Sequence, residues 1–320
     1  MSMTKNAGTL GAFWTGCPPA PWLKRACQTW VSDYVELTKP NITALILMST
    51  AVGFYLGSVQ NLRILLLLHT LVGTALVASG TAALNEFWER DIDAKMLRTR
   101  DRPLPAGRML PWKALCFGIA LSLIGVFYLA WLTNFLAGLL AALTLGSYLF
   151  LYTPLKRRTP LCTLVGAFPG AIPPLIGWVA ARGEITLPAC ILYLMLFFWQ
   201  FPHFLAIAWM YREDYARGGI RMLPVVEPSG DSTGRQIVFF SVALLPISLL
   251  PSLLGVTGRL YLVGALILGV AFLYFGVRAA MVKSTMQARR LLQASVVYLP
   301  LIYGLMLIDK ALRTALHAPL

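Results

Sequence analysis

Charge is scarce in this sequence. Asp, Glu, Lys and Arg make up 12% of its 320 residues, against about a quarter in a soluble domain. Acids are scarcest, 13 against 27 bases. Histidine is nearly absent: His69, His203 and His317 stand too far apart for a His-built zinc site. The cysteines (Cys17, Cys27, Cys116, Cys162, Cys190) include no CxxC pair, so neither a redox dithiol nor a zinc ribbon is expected. They read as small apolar fillers or free thiols, and the Cys17-Pro18 dipeptide is too short to carry an argument. The alternating segments of a transmembrane β-barrel are missing as well. Residues 1–40 hold no apolar core followed by a small-residue cleavage site, so no cleaved secretory signal is expected. They are not Arg- and Ser-rich like a transit peptide either.

Apolar residues fill what charge leaves: 58% of the chain, with a mean hydropathy of +0.70. They fall in runs at 41–59, 64–86, 112–132, 135–153, 161–181, 186–210, 236–256, 260–281 and 291–308. Each is long enough to cross a bilayer once. The predicted fold class is all-α, a polytopic membrane protein of about nine transmembrane helices. Mixed acid-base loops follow the second and the sixth run. That spacing predicts two four-helix halves plus a ninth helix around a central chamber. A cytoplasmic arm over 1–36, with an interfacial helix near 21–36, would precede a membrane domain over 37–320.

Of the 27 bases, 22 lie in the arm and in segments 87–113, 154–160, 211–235 and 278–290, all on one side of the membrane. The positive-inside rule puts that side, and the N-terminus, in the cytoplasm. The net charge of +14 is thus spread over loops between spans, and no nucleic-acid partner is expected. The lipid bilayer is the partner the composition demands.

Topology accounts for bases, not for acids beside them. If the second helix runs through residue 93, Asn85, Glu89 and Asp93 form one stripe roughly 12 Å long, with Asp91 on the opposite side. The stripe offers oxygens only, which suits Mg²⁺, or Mn²⁺ in its place. Arg98 and Arg102 follow with planar forks for phosphate oxygens. A solvated loop of mixed charge is the alternative. The second loop brings Tyr211, Glu213, Asp214, Tyr215 and Arg217 to the same face, and two such clusters at equivalent ends of two halves suit a site between them. Lys156, Arg157 and Arg158 are either topological bases or partners of an anion. His203, after Pro202 in "WQFPHF", is either a hydrogen-bonded core residue or a haem contact. Pro202 is expected to open a kink there. "GAFPGAIPPLIGW" (166–178) packs small residues and prolines into one span, either for close helix contact or as a broken-helix wall against a flat ring or an isoprenoid tail.

The stretch from Asn85 to Leu104 resembles the first aspartate-rich motif, Asn-x-x-x-Asp-x-x-x-Asp, of the UbiA-type intramembrane prenyltransferase superfamily. Segments 33–57, 90–107, 152–178 and 199–226 are similar, in order, to its protohaem IX farnesyltransferase (haem O synthase) branch. The resemblance implies that Asn85, Glu89 and Asp93 hold Mg²⁺ on an isoprenyl diphosphate, with Arg90, Arg98, Arg102, Lys156 and Arg217 as diphosphate partners. It implies Asp214 as a further metal or water contact, and His203, Arg157, Tyr211 and Tyr215 on the haem side. Farnesyl diphosphate and haem B would be the substrates and haem O the product. A haem A synthase or a second copy would be the protein partner. The sequence departs from the motif twice. Glu89 replaces an aspartate, which keeps the carboxylate but alters its reach. Tyr211 and Tyr215 stand where the second motif has aspartates, which argues against a second metal site of the usual kind. A bacterial inner membrane is expected, a mitochondrial one being the alternative. The metal motif alone equally fits a prenyltransferase acting on a quinone or chlorophyll precursor. A transporter and a non-catalytic haem-binding assembly factor are the readings from other classes.

Overall fold

The computed structural model describes residues 30–58 and 62–316. Cys17, Cys27, His317 and the first part of the expected interfacial helix lie outside them. Residues 30–37 of that helix are helical. Nine helices among the described residues are long and apolar enough to cross a membrane: α1 (Pro40–Gly57), α2 (Ile64–Asp93), α3 (Pro111–Leu132), α4 (Phe135–Leu155), α5 (Cys162–Arg182), α6 (Leu187–Met210), α7 (Asp231–Leu253), α8 (Arg259–Val282) and α9 (Thr285–Ala315). No strand occurs among the described residues.

Local chemistry marks the helix ends. Pro40 opens α1 and Pro111 opens α3, positions where the missing N–H costs nothing. Asn134 caps α4: its Oδ1 accepts the Ala137 N–H at 2.9 Å, while its Nδ2 donates to the Val179 carbonyl at 2.8 Å. Two helices are irregular. α4 passes through a π-helical turn at Ser147–Tyr152. α5 breaks between Gly170 and Pro173, and its glycines also make a close helix contact, so both readings of the Gly- and Pro-rich stretch apply. α6 instead stays helical through Pro202.

The helices close into a ring. α1 packs on α2 and on the second half of α5; α2 packs on α3, and α3 on α4. The first half of α5 meets α6, which packs on α7 and α9; α8 lies between α7 and α9. Contacts of α9 with α1 complete the circuit. The α1–α5 crossing is close because it is made by glycines. A Cβ on Gly177 would fall on the Thr50 carbonyl, and one on Gly53 on the Pro174 carbonyl. Large apolar side chains such as Phe127, Trp131, Ile267 and Met281 point outward and are exposed, as lipid contact requires.

α9 also supplies two helix caps in trans. Asp309, 3% exposed, accepts the N–H groups of Gly258 and Tyr261 at the start of α8. Next to it, Lys310 Nζ donates to the carbonyls of Tyr55, Leu56 and Ser58 at 2.8, 3.1 and 2.8 Å, at the end of α1. Each charge matches the helix dipole it meets. Asp309→Ala leaves two backbone donors unpaired in the interior, and we expect a loss of about 2–3 kcal/mol. Reversible unfolding in mixed micelles measures it, and an unchanged unfolding midpoint would refute the capping role.

Candidate active site between the two halves

α2 remains helical through Asp93, so Asn85, Glu86, Glu89 and Asp93 share a buried face. Their exposures are 3%, 1%, 7% and 2%, which places the stripe inside the bundle. Asp91 is exposed on the other side.

A buried carboxylate needs a counter-charge, and each acid of the stripe finds one from another segment. Lys156 Nζ lies 2.8 and 3.0 Å from the two oxygens of Glu89. Arg102 Nη1 donates to Asp93 Oδ2 at 2.7 Å. Glu86 Oε1 lies 3.4 Å from Lys39 Nζ and 3.7 Å from Arg102 Nε. Asn85 donates its amide N–H to Thr153 Oγ1 at 3.3 Å, leaving its oxygen for a cation. The π-turn of α4 precedes Lys156, and its Tyr152 and Tyr148 rings stand 4.5 and 6.0 Å from Nζ. Such turns recur at functional sites. Burial opposes the Lys156 charge, but Glu89 and then the two tyrosines outweigh it, so its pKa stands well above 10.5. For Lys39 the balance is reversed: burial, then the Arg102 charge, lowers its pKa despite Glu86.

The second loop lies against the first. Asp214 accepts the Leu97 N–H at 3.0 Å and pairs with Arg217. Burial would raise its pKa, but these bonds hold it below the usual value. The Arg98 guanidinium lies over the rings of Tyr211 and Tyr215, at 4.9 and 6.0 Å. Arg221 N–H donates to the Lys156 carbonyl at 2.8 Å. Met96, Cys162, Ala208, Ile220 and Met222 form the apolar layer beneath.

Of the residues expected from the sequence, Asn85, Glu89, Asp93, Arg102 and Lys156 come together in one network. Arg98, Tyr211, Asp214, Tyr215 and Arg217 form the adjoining one. Arg90 turns away, to the Phe87 carbonyl at 2.8 Å and to Asp91. Arg157 and Glu213 are exposed. His203 Nδ1 is 2.8 Å from Ser295 Oγ, and its ring stacks on Trp199. Glu86, Lys39, Thr153, Tyr148 and Tyr152 were not anticipated. Counting α2 in steps of four misses Glu86, which shares the face at steps of three to Glu89 and seven to Asp93.

The donor set fits a hard divalent cation. Glu86 Oε2 is buried without a hydrogen-bond partner among the described residues. No three acidic, His or Cys side chains among the described residues converge as a ready-made cage. The oxygens of Asn85, Glu89 and Asp93 on one face suit Mg²⁺, which takes one or two carboxylates and fills its shell with phosphate and water.

The Lys156–Glu89 pair sets a stability prediction. Lys156→Met strands Glu89 and should cost about 3 kcal/mol, while the double variant Lys156→Met/Glu89→Gln should cost clearly less. Unfolding of both variants in detergent tests this, and a double variant that loses as much as Lys156→Met or more would contradict it. Since the folded pKa of Lys156 is raised, the contribution of its charge holds from neutral pH up to its ordinary value of 10.5 and fades only at more alkaline pH.

Comparisons with known proteins agree with this architecture. Residues 46–298 match the model of the UbiA prenyltransferase family. The chain is 58% identical over 288 residues to a protein of Solibacter usitatus named Protoheme IX farnesyltransferase, covering 87% of this chain and 98% of that one. Proteins of the same name from Koribacter versatilis and Aquifex aeolicus are 46% and 39% identical, over 88% and 89% of this chain and 94% and 97% of theirs. Among solved structures, that of a digeranylgeranylglyceryl phosphate synthase superposes with a TM-score of 0.74 at 20% identity, covering 88% of this chain and 98% of that one. A UbiA homologue of Archaeoglobus fulgidus bound to GPP and Mg²⁺ gives 0.60 at 16%, covering 86% and 99%. The nine helices, the ring they close and the stripe at the end of α2 are thus those of a member of the UbiA prenyltransferase family, to which this chain belongs.

Proposed function

We propose that this protein transfers the farnesyl group of farnesyl diphosphate to a vinyl group of protohaem IX, giving haem O. The observation that carries the reading is the buried network of Glu86, Glu89 and Asp93 with Lys39, Arg102 and Lys156, in a chain 58% identical to a named farnesyltransferase. It meets the needs of a diphosphate leaving group. Lys156, Arg102 and Lys39 grip phosphate oxygens as charge gathers on them. Drawing these cations to phosphate leaves the acids to be neutralised, which Mg²⁺ on Asn85, Glu89 and Asp93 supplies when bound. The C–O bond breaks, and the farnesyl cation is held in apolar surroundings. The vinyl π-bond attacks it. Water adds to the new carbocation and loses a proton, leaving a hydroxyethylfarnesyl group and free diphosphate. No covalent enzyme intermediate is needed; orientation and exclusion of stray water do the rest.

The distribution of bases supports an orientation with the N-terminus and the site loops in the cytoplasm, in a bacterial inner membrane. A haem A synthase would be the consumer of the product. Purified protein with haem B, farnesyl diphosphate and Mg²⁺ should yield haem O by mass spectrometry, and chelator should abolish it. Prenylation of a quinone precursor instead would keep the diphosphate chemistry and sink the haem assignment. Asp93→Ala should lower turnover about a hundredfold or more while haem binding, followed by its Soret band, stays as in the parent protein. A non-catalytic haem carrier would give no turnover in either form.

A further inference from the structure

The helix ahead of α1 is tied to the site by one arginine that the transfer chemistry does not use. Residues 30–37 lie beside the start of α3. Leu37, wholly buried, packs with Ala83, Leu104, Met109 and Ala114. The Tyr34 ring meets Phe117 edge-on at 4.9 Å. Arg108, in the loop from α2 to α3, grips this helix. Its Nε donates to Asp33 Oδ1 at 2.9 Å and its Nη2 to Glu36 Oε2 at 2.8 Å. Its Nη1 donates to the Asp101 carbonyl in its own loop. All three nitrogens of one planar fork therefore join two segments that are otherwise distant in the chain.

Each of those segments carries a cation of the site. Arg102 comes from the loop; Lys39 follows directly after the helix. Lys39 stands in the left-handed region (φ 48°, ψ 63°), which a residue with a Cβ adopts only under constraint. That turn carries its amine inward to Glu86 Oε1 at 3.4 Å, where Arg102 Nε arrives at 3.7 Å. Two cations thus meet at one buried carboxylate oxygen, Arg102 also pairing with Asp93 at 2.7 Å, and stand side by side where the oxygens of an anion can reach both. The apolar cluster around Leu37 anchors the helix without Arg108. What the fork adds is the alignment of the helix with the loop, and so of Lys39 with Arg102.

We propose that Arg108 is a positioning residue for anion binding: by latching Asp33 and Glu36 to the α2–α3 loop, it sets Lys39 and Arg102 as a pair that grips the phosphate oxygens of a diphosphate. The identity of that anion rests on the farnesyl-transfer reading above; the latch itself does not.

The test is Arg108→Gln in the full-length protein. Calorimetric binding of farnesyl diphosphate with Mg²⁺ should weaken roughly tenfold, about the effect of losing one charge-assisted hydrogen bond. KM for the diphosphate should rise in step, while KM for haem B and kcat change less than about twofold. Arg108→Lys, which keeps the charge but cannot fork, should fall between. Asp33→Asn added to Arg108→Gln should bring no further loss, because both act through the same latch. Unchanged diphosphate binding in folded Arg108→Gln overturns the proposal. So does a parallel loss for both substrates that tracks a lowered melting temperature, since that marks a merely structural role. If Arg108→Gln does not fold, Arg108→Lys and Glu36→Gln carry the same comparison. If the parent protein makes no haem O, the functional reading fails. Binding of inorganic pyrophosphate with Mg²⁺ to parent and variant then still decides the role of Arg108.

Discussion

A carboxylate buried at the end of a membrane helix cannot stand alone. The desolvation of its charge is tolerable only beside a cation with good geometry. α2 ends with three such acids, and the surrounding structure follows from supplying their partners. Lys156 comes from the end of α4, Arg102 from the loop after α2, and Lys39 from the threshold of α1. Three segments far apart in sequence are thereby drawn to about two helical turns. The same pairing gives each long basic side chain a direction set by an acid before any ligand arrives, so less rotamer freedom is left to lose on binding.

The second loop extends this logic from side chains to backbone. Asp214 has an amide N–H from the first loop as well as Arg217, and Arg221 donates back to the Lys156 carbonyl. Two loops from two halves of the bundle therefore form one layer. Arg98 lies between two tyrosines rather than on an acid, which leaves its N–H groups directed by aromatic faces. At positions 211 and 215 this chain has rings that hold a guanidinium.

Much of this was legible in the sequence. Runs of apolar residues delimit spans because a bilayer accepts nothing else over that length, and the nine helices follow them closely. The stripe of Asn85, Glu89 and Asp93 was legible because helical periodicity is local. Glu86 was not, because its role depends on which face of α2 is buried, not on its spacing from Asn85. Lys39 reads as a topological base until the left-handed turn before Pro40 aims it inward. The π-turn that brings Tyr148 and Tyr152 against Lys156 leaves no mark in composition. His203 kept two readings in sequence; the structure supplies the hydrogen bond, from a serine 92 positions away on α9. Contacts at that separation cannot be read from either segment alone.

The trans caps of α9 give the fold a direction in time. A membrane protein is inserted from its N-terminus as it is made. α1 therefore waits with its last carbonyls, and α8 with its first N–H groups, uncapped until Asp309 and Lys310 emerge. Until then the ring of helices is an arc, open on the α1 side. α9 is thus the clasp of the ring of helices, joining the start of α8 to the end of α1.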